Sequence, residues 1–183
     1  MTAKTHMVGG ILCGEQAALY LFRENPVFSV VCVATAVAGS VLPDVDSAES
    51  HFAYKSLKNA FISAGVNAIW GHRGAVHTPF AALILALILY ASGKCGFAYA
   101  APVAAGVTTG FLSHLVLDSL NYGGIMWLFP FKKRWYHWGK IPIRSFKENI
   151  LALCLLLACA ALTLRYMETL PADFGSLLHA TGY

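Results

Sequence analysis

Seven side chains of metal-binding type gather near the ends of apolar stretches: His6, Asp44, Asp46, His72, His77, His114 and Asp118. Imidazole and carboxylate are costly beside hydrocarbon, so such residues in apolar surroundings mark a functional site by default. His114 and Asp118, four apart, share one helix face with Cβ atoms about 5–6 Å from each other. That geometry suits an imidazole nitrogen and a carboxylate oxygen on one cation; for the pair alone, a structural His–Asp hydrogen bond is the plainer reading. Asp44 and Asp46 follow Leu42-Pro43. If proline ends the helix and the chain leaves it extended, residues two apart point the same way and both carboxylates face one ion or bridge two. Taken alone, a solvated turn accounts for them. His72 and His77 flank Arg73-Gly74-Ala75-Val76, a loop with glycines that allow it to fold back and present both rings. Arg73 beside them carries a permanently charged fork suited to phosphate or carboxylate. His6 is a lone histidine whose case rests on the other six.

Four histidines and three aspartates exceed the three protein ligands and one open position of a catalytic zinc. Two ions, or one ion with a separate general base, match the count better. Nitrogen and carboxylate ligands without thiolate suit zinc first, with manganese or iron as alternatives. Such an ion lowers the pKa of bound water toward ~7 and polarises the oxygen under attack. In that reading Asp44 and Asp46 supply a proton acceptor and Arg73 holds the anionic group. Glu15 projects from roughly the opposite face of the helix that carries His6 and reads as a packing group. His51, His137 and His179 read as surface residues. The cysteines at 13, 32, 95, 154 and 159 show no zinc spacing and read as free thiols.

The elements that must position these residues are helices in a bilayer. Of 183 residues, 57% are hydrophobic and 12% charged, against about 25% charged in soluble domains; the mean hydropathy is +0.60. We expect an all-α fold, a polytopic bundle forming one domain over residues 1–183. Five candidate spans cover residues 6–22, 26–42, 78–92, 97–120 and 150–164. Glu15 weakens the first, and Gly106 and Gly110 in the fourth are spaced for close helix packing. Five spans put the N-terminus and the loops 43–77 and 121–148 on one side, with Lys4, Lys55, Lys58, Arg73, Lys132, Lys133, Arg134, Lys140, Arg144 and Lys147. Arg23, Lys94 and Arg165 fall on the other, so the basic majority sets the N-terminus and both loops in the cytoplasm. All seven metal-type residues then fall at the cytoplasmic ends. Residues 129–140 mix aromatic and basic side chains; a membrane-interface anchor beside anionic lipid explains them without nucleic acid.

Several ordered motifs resemble the YdjM/YbcI-like family of inner-membrane, metal-dependent hydrolase-like proteins, whose name also cites LexA binding. They are His6 with its glycines, Leu42-Pro43-Asp44-Val45-Asp46-Ser47, Gly71-His72-Arg73-Gly74-Ala75-Val76-His77-Thr78 and Ser113-His114-Leu115-Val116-Leu117-Asp118. Gly123-Gly124-Ile125 and Trp127-Leu128-Phe129-Pro130 continue the match to about residue 131. The resemblance implies a bacterial or archaeal inner-membrane protein with a hydrolase-like metal site. Nothing in these residues resembles a LexA-contacting surface. The expectation is a membrane-bound metal-dependent hydrolase of a lipid or lipid-linked phosphoester. A metal-ion transporter or a metal-binding scaffold is the alternative.

Overall fold

Capping residues start the helices where the sequence changes from turn chemistry to apolar runs. The structure is a computed structural model and describes residues 1–46 and 76–169, the side chains of Val45, Asp46, Glu168 and Thr169 excepted. Five α-helices follow in order: α1 (Ala3–Leu21), α2 (Pro26–Val41), α3 (Pro79–Ala91), α4 (Ala100–Ser119) and α5 (Phe146–Thr169). Asn25 caps α2 by accepting from Phe28 N at 3.1 Å, and Thr78 caps α3 by accepting from Ala81 N at 3.3 Å. Each cap is followed by proline at the first helical position, where the missing N–H costs nothing. Among the described residues there is no strand, only an antiparallel bridge between Ile125 and Tyr136.

Helix α4 is the hub. It packs against α1, α2 and α3, while α5 lies chiefly against α1. Small residues set how closely these helices approach. A methyl group added at Gly110 would fall onto the Ala36 carbonyl, and one at Gly106 would meet the Cys32 carbonyl and Thr35. The α2–α4 seam is therefore backbone against backbone, the close packing that small residues permit between membrane helices.

Among the described residues three helices, not five, are long and apolar enough to cross a bilayer: Pro26–Asp44, Ala100–Ser119 and Phe146–Met167. Helix α3 has 13 residues, which at 1.5 Å each reach about 20 Å of a hydrocarbon core about 30 Å thick. In α1, Lys4, His6, Glu15 and Gln16 dilute an otherwise apolar helix. The all-helical membrane architecture stands; the five-span count does not.

The chain after Pro43 also departs from expectation. Residues Leu42–Asp46 form a 3₁₀ helix rather than an extended segment, because proline is tolerated in the first turn of a helix. Three residues per turn remove the same-side argument for Asp44 and Asp46.

Candidate metal centre

Each contributor to the cluster sits where one element ends or begins. His6 lies in the first turns of α1, Asp44 in the 3₁₀ turn after α2, His77 just before α3, and His114 and Asp118 in the last turns of α4. Four stretches of chain thus meet at one end of the bundle. His6 Nε2 is 3.3 Å from Asp118 Oδ1, and His114 Nε2 is 3.6 Å from Asp118 Oδ2 and 3.7 Å from Asp44 Oδ1. His77 Nε2 is 3.4 Å from Asp44 Oδ1. The His6 and His114 rings stack at 3.8 Å, and His77 meets His114 edge-on at 5.4 Å.

Two overlapping sets of donor atoms lie within 4.8 Å of one another: His6, Asp44 and His114, and His77, His114 and Asp118. His114 belongs to both. The three rings and Asp118 are buried, whereas the Asp44 side chain keeps 32% of its exposure. Asp44 is thus the member of the five through which the cluster meets its surroundings.

The protonation pattern follows from one bond. His114 Nδ1 lies 2.7 Å from the Ser40 carbonyl. A carbonyl can only accept, so Nδ1 carries a proton, and the tautomer this selects leaves Nε2 as the nitrogen facing the carboxylates. That Nε2, both nitrogens of His6 and Nδ1 of His77 are buried with no hydrogen-bond partner among the described residues. Burial lowers the His6 imidazole to about 4 against the pull of Asp118, which keeps this ring neutral at pH 7. Buried imidazole nitrogens without hydrogen bonds beside two carboxylates suit a divalent cation, and a buried polar atom left unpaired otherwise costs about 1–3 kcal/mol. The donor set fits a nitrogen-and-oxygen-ligated metal.

Other residues support these five without sequence signals strong enough to reveal them. Asp118 Oδ1 accepts from Asn121 Nδ2 at 2.9 Å and from the Met1 amino group at 2.7 Å. Glu148, buried at the start of α5, accepts from Thr2 N at 2.6 Å, Thr5 Oγ1 at 2.9 Å and Arg144 N at 2.6 Å. It ties the first turn of α5 to the turn of α1 that carries His6. The basic aromatic loop folds back beneath α4: Trp138 N donates to Ser119 O at 2.7 Å, Trp127 Nε1 donates to Ser119 Oγ at 2.8 Å, and the two indoles stack at 5.1 Å. Asn121 follows the HxxxD pair by three residues, the one signal that could have marked it; the Glu148 clasp joins segments too distant to pair by spacing.

Of the seven expected ligands, the structure brings together His6, Asp44, His77, His114 and Asp118. His72, Arg73 and the Asp46 side chain lie outside the described residues. Glu15 accepts from Thr163 Oγ1 of α5 at 2.7 Å, away from the cluster. His137 is exposed, and all five cysteines are free.

A family profile described as YdjM inner membrane protein matches residues 1–172. The chain is 31% identical over 164 residues to the uncharacterized protein YvsG of Bacillus subtilis (strain 168), covering 86% of this chain and 91% of that one. It is 29% identical over 151 residues to the inner membrane protein YdjM of Escherichia coli (strain K12), covering 78% of this chain and 70% of that protein. The YdjM of Shigella flexneri matches to the same extent. No solved structure matches.

Proposed function

The chain belongs to the YdjM inner membrane protein family, and we propose that it is a membrane-bound, metal-dependent hydrolase of phosphoesters on lipid or lipid-linked substrates. The observation that carries this reading is the set of buried imidazole nitrogens without hydrogen bonds, facing Asp44 and Asp118. His6, Asp44, His77, His114 and Asp118 hold one or two divalent ions, zinc first and manganese or iron next. Asp46 and His72 remain further ligand candidates on sequence grounds alone. When bound, the metal supplies Lewis acidity for water and for the phosphoryl oxygen.

The chain's own residues do the rest. Asp44, the exposed edge of the cluster, takes the proton as the water oxygen bonds to phosphorus and returns it to the leaving oxygen as the ester P–O bond breaks. On sequence grounds Arg73 is the candidate partner for the phosphate. The substrate class rests on the loop beside the cluster. Lys132, Lys133, Arg134, Lys140, Arg144 and Lys147 are all exposed, as are Phe131 and Trp138. Cations interleaved with exposed aromatics suit the headgroup region of an anionic leaflet. The excess of lysine and arginine in residues 132–147, beside the cluster, supports a cytoplasmic location for this end of a multi-pass protein.

A metal-ion transporter needs polar groups through the depth of the bilayer. Here the described histidines of the cluster gather at one end, and Glu15 is engaged by Thr163, which favours the hydrolase.

The test is elemental analysis of protein purified without added metal, followed by turnover of lipid phosphoesters. One or two transition-metal ions per chain are expected, lost in His114→Ala and Asp118→Ala. Folded wild-type protein free of zinc, manganese and iron would sink the proposal.

A further inference from the structure

Three cavities share walls around α1: two lie toward the end of the bundle opposite the metal centre, and the third extends from there along α1 and α4 to Gly9, Ser113 and Leu117. A cavity of about 1040 Å³ lies where α1 ends, α2 begins and α5 passes, and Arg23, Glu24, Asn25 and Arg165 line it. An apolar groove of about 500 Å³ runs between α1, α2 and α5, and a second of about 670 Å³ runs between α1, α4 and α5. Leu19 and Leu162 line both the polar cavity and the first groove. Gln16, Tyr20 and Leu21 line both the polar cavity and the second. The cause is the placement of α5, which meets α1 along one seam and leaves a cleft on each side of it.

The dimensions fit one leaflet. The second groove is bounded on α1 from Gly9 to Leu21, about 18 Å of helix at 1.5 Å per residue, and half of a ~30 Å hydrocarbon core is about 15 Å. Both grooves fall within the ~300–1,000 Å³ of ordinary ligand pockets. Their walls are apolar apart from a few groups such as Glu15 and Thr163, which bond to each other at 2.7 Å.

The geometry points to a binding site for one diacyl phospholipid, its phosphate in the cavity with Arg23 and Arg165 and one acyl chain in each groove. Both arginines are exposed, and neither forms an ion pair among the described residues. A guanidinium fork matches phosphate oxygens. Glu24 lines the same cavity, so a headgroup that also carries an ammonium, as phosphatidylethanolamine does, is matched in both charges. Two grooves opening from one polar cavity call for two chains on one head. This site shares no residue with the metal centre and stands whether or not that centre hydrolyses anything.

Native mass spectrometry of the full chain, purified in mild detergent, tests the site. Wild type is expected to retain about one diacyl phospholipid per chain. After delipidation it should rebind phosphatidylethanolamine in preference to phosphatidylglycerol, to single-chain lysophosphatidylethanolamine and to inorganic phosphate. R23Q/R165Q should weaken rebinding about tenfold. A34W, which fills the first groove and leaves both arginines in place, should do the same. Circular dichroism and a monodisperse elution profile establish folding of each variant. Wild type without retained phospholipid, rebinding unchanged in either folded variant, equal binding of the lysolipid or free phosphate, or a preference for phosphatidylglycerol overturns the assignment.

Discussion

The Ser40 carbonyl, at the end of α2, accepts a 2.7 Å hydrogen bond from Nδ1 of His114, seventy-four residues away on α4. The bond orients the ring and fixes the tautomer, as partners behind a metal-binding histidine ordinarily do. It also makes the position of α2 a condition for the ligand geometry of α4. His114→Ala should therefore have two separable effects. Bound metal should fall to background by elemental analysis. Stability should drop by about 1–3 kcal/mol, because the buried carbonyl loses its donor, measured by thermal unfolding of wild type and variant both stripped by chelator.

Asn121 acts one step behind Asp118, donating to Oδ1 at 2.9 Å. Removing an outer partner of this kind typically lowers metal affinity about 10–100-fold. Asn121→Ala should show that loss in a competition titration with a chromophoric chelator while keeping its helical circular dichroism. Unchanged affinity would mean that Asn121 only finishes the helix.

Gly110 tests the α2–α4 seam. A methyl group there meets the Ala36 carbonyl, and backbone yields little, so Gly110→Ala should destabilise by about 1–3 kcal/mol. Because the same seam aligns Asp44 with His114, metal retention should fall too. A folded G110A with full stability and full metal content would show that the helices separate without harm to the site.

Glu148 clasps the N-terminal turns of α1 and α5 through Thr2, Thr5 and Arg144. Glu148→Ala should cost at least about 1.5–3 kcal/mol, the worth of one hydrogen bond to a charged group. Its secondary effect should be weaker metal retention through a displaced His6, seen as faster metal loss to a chelator. Stability equal to wild type in thermal unfolding would count against the clasp.

Much of the cluster was legible before any fold was known. The spacing of His114 and Asp118 put them on one helical face, and the order of the apolar stretches put His6, Asp44, His77 and that pair at one end. Both inferences used side-chain identity and helical period, which sequence carries directly. What escaped was of another kind. Ser40 contributes through a backbone carbonyl, which every residue possesses, so no letter in the sequence announces it. Glu148 reaches Thr2 across almost the whole chain, beyond any local pattern. Asp44 was expected on an extended strand of chain because proline so often ends helices, yet a tighter turn satisfies proline equally well. The span count differs because α3 is apolar enough but too short, and α1 has the length without the apolarity.

The solvent exposure of Asp44 amid otherwise enclosed donors gives the described centre a doorway on one side. Of the five described donors, this carboxylate is the one a cation arriving from outside meets first, so the side chain at position 44 sets how open the described centre is.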